Sequence, residues 1–266
     1  MVVLAGGEPL VRPELLDVAG EFPQLTFIVV TNGSLFDAST LDTFTRHRHI
    51  IPMLSLDGAQ STTDERRGCG AFVRVTAAME ALRSRRLFFG ASIMVTRTNF
   101  AQVTSRVFVR DLVSRGCRLF FYADYVPVEA GTERLVPSQA QRSVEKLTML
   151  LMRREFPALF VASSAGEQAH GGCLAAGRGF VHLNPEGGIE PCPFSPYSDV
   201  DVRGGGLKRA LESPFLRTIR ESGRHLGESE GGCALWNQRA WLEGLLASST
   251  AVPGADERED VGQRAA

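Results

Sequence analysis

Almost no net charge, no long apolar run and no even set of cysteines characterise this 266-residue sequence. Its 29 basic and 30 acidic residues leave a formal charge of −1, so it lacks the footprint of a nucleic-acid or anionic-membrane partner. No apolar stretch approaches the roughly 20 residues of a membrane-spanning helix. No basic-then-apolar signal segment opens the sequence, and a cytoplasmic location is expected. Five cysteines, an odd number without a secretion signal, argue against a disulfide framework and leave metal binding or burial as explanations.

The sequence does contain the alternation of an α/β fold. Apolar, β-rich runs fall at Val2–Ala5, Thr26–Thr31, Ile50–Leu56, Leu87–Thr96 and Arg118–Pro127. Amphipathic helical patterns lie between them at Arg12–Glu21, Ala38–Arg46, Ala71–Arg83 and Ala101–Arg115. A further helix is predicted over Ser138–Arg154, with Ser138 as N-cap and Leu147, Leu150 and Leu151 as packing residues. Near-continuous apolar strands separated by helices predict a parallel sheet covered by those helices. The texture changes after Pro157: from Gly166 to Gly232 the chain is glycine-rich and, with Cys233 directly after it, holds three of the cysteines. A small second domain needing a staple is expected over residues 158–247, after a first domain over residues 1–157. A last helix is predicted at Asn237–Leu246, and residues 248–266 read as a disordered tail.

Three successive strands end in polar or glycine residues: Gly6-Gly7-Glu8-Pro9 after the first, Thr31-Asn32-Gly33 after the second, Ser55-Leu56-Asp57-Gly58 after the third. A structural turn explains any one of these. All three together point to the carboxyl rim of a parallel sheet, where barrel enzymes place their chemistry.

Gly6-Gly7-Glu8-Pro9 resembles the GGEP motif of the radical S-adenosylmethionine (SAM) superfamily. The resemblance implies a partial (β/α)6 TIM-like barrel, with Gly6, Gly7 and Glu8 holding the methionyl amino group of SAM. Ser55 and Asp57 match strand-end positions toward the ribose and substrate. Asp64-Glu65-Arg66-Arg67-Gly68 resembles the family's D-x-x-R-G segment, whose arginine, Arg67, would fork onto the SAM carboxylate. Ser92 and Asn99 lie in a region that also touches SAM in the family, although Asn99 is equally a helix cap. Tyr122, Tyr125, Pro127 and Glu129 would form the adenine-side wall. The family's C-x3-C-x2-C loop, which holds the SAM-binding [4Fe–4S] cluster, is not found in these 266 residues. The sequence therefore reads as a barrel without its first strand and that loop, through a late gene start or as a short non-catalytic remnant.

Cys173, Cys192 and Cys233 form a second constellation. Thirteen residues separate Cys173 from Gly187, and four more separate that glycine from Cys192. This resembles the opening of the SPASM/twitch auxiliary domain, written C-x(9–15)-G-x(4)-C, and implies an auxiliary [4Fe–4S] cluster on these three cysteines with the fourth position open or filled by another group. Structural zinc with His170 or His182, or simply buried thiols, stand as alternatives. Cys69 and Cys117 are assigned to no metal. The family's activity is reductive cleavage of SAM and hydrogen abstraction from a substrate, with an electron donor such as flavodoxin or ferredoxin. The implied client is a small molecule or, in the SPASM branch, commonly a peptide. A non-catalytic SAM- or peptide-binding partner protein is the alternative.

Overall fold

A computed structural model describes residues 1–162, 170–227 and 233–250. The chain divides into two compact units, the first chiefly Met1–Ala169 and the second built from His170–Glu228 and Cys233–Ala266.

The first unit is a parallel sheet of six strands in chain order, curled into a half-barrel: β1 (Val2–Leu4), β2 (Phe27–Thr31), β3 (Ile50–Leu56), β4 (Gly90–Val95), β5 (Leu119–Asp124) and β6 (Leu159–Ala162). The helices between them are α1 (Glu14–Gly20), α2 (Ala38–Arg46), α3 (Gln60–Arg67), α4 (Ala71–Ser84), α5 (Phe100–Val103), α6 (Arg106–Ser114) and α7 (Gln139–Glu155). Sequence periodicity yields five strands, and the structure adds β6 beyond residue 157. Four residues are too few for periodicity to register, and β6 gains its place through tertiary contact. Phe160 stacks on Phe120 with centroids 4.8 Å apart, and Arg153 donates to the Phe160 carbonyl at 2.6 Å. The helix predicted over Ala101–Arg115 is split, because Ser105 caps a new start by accepting from the Phe108 N–H. Ser138 caps α7 as predicted, in a reciprocal capping box with Gln141.

Strand residues alternate between two faces. Val29, Leu54, Ala91, Ile93, Phe120, Tyr122 and Phe160 share one core with Val75, Met79 and Leu82 of α4, Val109 and Leu112 of α6, and Met149 and Met152 of α7. The other face carries Ser92, Met94, Phe121 and Ala123, all half-buried, and the exposed Val161.

Helix α7 corrects one expectation. Leu147, Leu150 and Leu151 are 60%, 57% and 46% exposed, whereas Arg142 and Glu145 are buried with Met149 and Met152. Arg142 donates to the Pro137 carbonyl, and Glu145 stands near Asp124. The helix thus turns a charged stripe toward the end of β5 and its leucines away from the sheet.

The second unit has its own core, in which Ile189, Phe215, Leu216, Ile219, Leu235 and Leu242 pack with Cys173 and Cys192. It contains the two-stranded antiparallel pair β7 (His182–Leu183) and β8 (Ile189–Glu190), with α8 (Gly206–Leu211), α9 (Pro214–Glu221), α10 (Ala234–Asn237) and α11 (Arg239–Thr250). α11 continues past Ser248, where the sequence pattern placed a tail; the rest of that stretch, residues 251–266, lies outside the described residues.

Candidate functional site

The carboxyl ends of β1 to β4 are tied by side chains in two pairs, β1 to β2 and β3 to β4. Glu8, just past β1, accepts from the Leu10 N–H at 3.1 Å and, through its other oxygen, from the Asn32 N–H at 2.7 Å. One carboxylate therefore caps the turn after β1 and fixes the end of β2. Gly6 and Gly7 beside it are exposed, with open space where a Cβ would stand. Gly6 has φ +140°, a conformation that favours glycine.

The next pair of strand ends carries the strongest electrostatics. The Asp57 side chain is 1% exposed and meets two guanidinium groups. Arg66 Nη1 donates at 2.8 Å, and Arg67 donates through Nε at 2.5 Å and Nη2 at 3.3 Å. The fork that the sequence assigns to an incoming carboxylate is thus closed on an internal one. Both arginines come from the last turn of α3, where a cation also suits the helix dipole.

Asn99 does more than end a helix. Its side-chain amide donates to the Asp57 and Met94 carbonyls, both at 2.8 Å, while its oxygen accepts from the Thr96 N–H at 2.7 Å. It makes no side-chain capping bond to α5. It joins the ends of β3 and β4, a role signalled in sequence only by a Thr-x-x-Asn step after an apolar strand.

Ser55 and Ser92 are direct neighbours in the β3–β4 register, and Phe121 continues the row on β5. The two serines thus lie on the face opposite the helix-packed core. Tyr122 faces the other way: it is fully buried, and its hydroxyl donates to the Val103 carbonyl at 3.0 Å. Tyr122 is a core residue, which corrects its place in the adenine wall; Phe121, one position earlier, is the aromatic on the serine face. Tyr125 and Pro127 are half-buried and Glu129 is exposed.

In the second unit Cys173 and Cys192 share one core and Cys233 packs against it. Cys192 shares a hydrogen bond with Cys233 and senses Cys173, and that bond, followed by burial, pushes its thiol well above the usual range. The Phe194 backbone N–H points at the Cys192 sulfur. Cys173 is pinned by its N–H to the Leu226 carbonyl at 2.8 Å, and Arg178 donates to the Cys173 carbonyl at 2.5 Å. Gly172, at φ +105°, passes so close to this contact that a Cβ would lie 2.3 Å from the Leu226 oxygen. Gly231 and Gly232, which precede Cys233, lie outside the described residues.

Among the described residues, no group of three or more His, Cys, Asp or Glu stands in the arrangement of a formed metal site. Cys192 and Cys233 form a hydrogen-bonded pair, Cys173 lies in the same core, and the buried Ser195 hydroxyl has no partner among the described residues. His182 is engaged elsewhere, its Nδ1 lying 2.6 Å from Glu190 Oε2 across the β7–β8 pair. Cys117 is a core residue whose thiol donates to the Leu119 carbonyl and is pushed up to about 12 by burial. Cys69 is exposed in the turn before α4.

No family model matches the chain. Over 284 residues it is 24% identical to the AdoMet-dependent heme synthase of Methanosarcina barkeri (AdoMet being SAM), an alignment covering 96% of this chain and 79% of the relative. The structure of Streptococcus suis SuiB bound to precursor peptide SuiA superposes with a TM-score of 0.63 at 19% identity, over 82% of this chain. The chain spans only 55% of that protein. The structure of anSMEcpe with bound AdoMet and Cp18Cys peptide gives 0.61 at 13% identity, covering 93% of this chain and 85% of the other. The half-barrel is shared with these structures. No described helix is long and apolar enough to cross a membrane.

Proposed function

We propose, starting from the relationship of this chain to the radical SAM superfamily, that its first unit is a SAM-binding half-barrel and its second an auxiliary iron–sulfur unit acting on a bound peptide. The observation that carries the reading is the Ser55–Ser92 pair, set on the face opposite the helix-packed core. Polar neighbours on an otherwise apolar sheet face are where a ligand's hydroxyls find partners.

In this reading Gly6 and Gly7 offer backbone groups to the SAM ammonium. Glu8 supplies the counter-charge: each oxygen already accepts one N–H and retains a second lone pair. Asp57 positions Arg66 and Arg67, whose remaining donors are directed to the SAM carboxylate. Ser55 and Ser92 receive the ribose, and Met94 and Phe121 present apolar surface to the substrate. Cys173, Cys192 and Cys233 hold the auxiliary cluster. With SAM and clusters bound, the cofactors supply one-electron chemistry, reductive SAM cleavage in a full-length form that includes the C-x3-C-x2-C loop; the chain supplies binding, orientation and exclusion of water. Flavodoxin or ferredoxin would deliver the electron. Peptide is preferred as substrate because the two solved relatives above are named with peptides bound, although the sequence relative is named for heme synthesis.

A second reading is SAM or peptide binding without catalysis; the pairing of Arg67 with Asp57 bears on the SAM-carboxylate contact that both readings share. Calorimetric titration of SAM tests both. Wild-type protein is expected to bind, and Ser92→Leu, which fills the serine face, to lose binding at unchanged melting temperature. Equal binding by the variant removes the SAM site from this face. 5′-Deoxyadenosine released with dithionite by a form carrying the cluster loop separates enzyme from binding protein.

A further inference from the structure

We infer that the cavity between α2, β3 and the segment leading into β4 binds a small organic carboxylate, with Arg48 and Arg86 as its anion-binding residues. The site lies at the amino ends of the strands, opposite the rim of Gly6 and Ser55, and stands apart from the SAM reading. Its origin is in the sheet. β3 pairs with β4 only from Met53 onward, and Pro52, one residue earlier, has no N–H with which to extend the ladder. There the two chains leave a cavity of about 150 Å³. Phe44, Ile50 and Leu87, all buried, give it apolar walls, and the exposed Phe88 stands at its edge. A space of about this volume takes one six-membered ring.

The remaining lining residues are Arg48 and Arg86, and no acidic residue lines the cavity. Arg83 and Arg85, in the same stretch, are paired with Glu80 and Asp42. Among the described residues, Arg48 and Arg86 are in no ion pair. Arg48 instead donates through Nη1 to the Arg86 carbonyl at 3.3 Å, which ties its guanidinium to the end of α4. That end carries backbone strain. The Arg86 N–H donates to the Arg83 carbonyl at 2.9 Å and the Leu87 N–H to the Leu82 carbonyl at 3.1 Å, the two bonds of a Schellman motif. Arg86 therefore sits in the left-handed position, at φ +54°, which glycine fills without strain. A bulky side chain held in such a conformation is a pointer to function. Two unpaired guanidinium groups on an apolar recess suit a carboxylate carried on a ring or a short branched chain.

Benzoate titrated into the whole chain, followed by calorimetry and ligand-observed NMR, tests this. Wild-type protein should bind it with roughly millimolar affinity, the range for so small a ligand. Benzyl alcohol, of similar shape but uncharged, should bind about tenfold more weakly or less. Arg48→Ala should weaken benzoate about tenfold. Arg86→Gly should do the same while leaving the melting temperature unchanged or raised, because glycine relieves the left-handed strain; loss of binding then cannot come from loss of fold. Wild-type benzoate affinity in both variants would overturn the role of the arginines. Equal affinity for benzyl alcohol, or no saturable binding by wild-type protein, would overturn the carboxylate site itself. SAM titration reads the opposite rim and should be the same in all three proteins, so failure here is distinct from failure of the SAM site.

Discussion

The most consequential side chains of the first unit are carboxylates held in two opposite ways. Asp57 is buried against two guanidinium groups, an arrangement in which charge is retained because it is paired. Glu145 is buried with one oxygen lacking a partner. Its carboxyl is raised to about 8, first by burial and then by the Asp124 charge, with Arg142 pulling it back; Tyr122 also faces it. An unfolded glutamate titrates near about 4.3, so between that pH and about 8 the folded chain holds a proton that the unfolded chain has released. This contribution to stability is full below the lower value and is lost as pH rises through the upper one. The unfolding free energy from urea titrations should therefore fall between pH 5 and pH 8 by at least about 1 kcal/mol, and Glu145→Gln should flatten that slope. An unchanged slope in the variant would place the proton elsewhere.

At the scale of elements, the backbone decides what may stand beside each site. Gly172 combines a positive φ with a steric approach that no side chain survives. Gly172→Ala must break either that turn or the Cys173–Leu226 hydrogen bond, costing about 1–3 kcal/mol. It should lower the second unit's melting temperature and displace Cys173 from its neighbours. Gly6→Ala, which meets only open space, is the control and should cost less. Equal effects would mean that the close approach at Leu226 is not a constraint.

For the whole molecule, the two cores are separate hydrophobic clusters, so two thermal transitions are expected. The sequence has two tryptophans, Trp236 and Trp241, both in the second unit, and their fluorescence reports that unit alone. Loading the thiol site should raise the fluorescence transition by mass action, and a chelator should reverse it, while the transition seen only by far-UV dichroism stays in place. A common shift of both would tie the two cores into one cooperative unit.

The sequence by itself determined the alternation of strands and helices, the carboxyl-end positions of Gly6, Glu8, Ser55 and Asp57, and the placement of Cys173, Cys192 and Cys233 in the second unit. Periodicity, strand ends and glycine spacing are local properties, and these features follow from them. Only the tertiary structure decided that β6 joins the sheet, because four residues gain their stability from Phe120 and not from their own pattern. Only the register decided that Phe121 rather than Tyr122 lies on the serine face, since one residue along a strand reverses the side. The engagement of Arg67 by Asp57, the charged rather than leucine-rich buried side of α7, and the unpaired Ser195 hydroxyl were equally hidden. Each depends on which partner a side chain meets across many residues of sequence, and burial energies that no local pattern records make that choice.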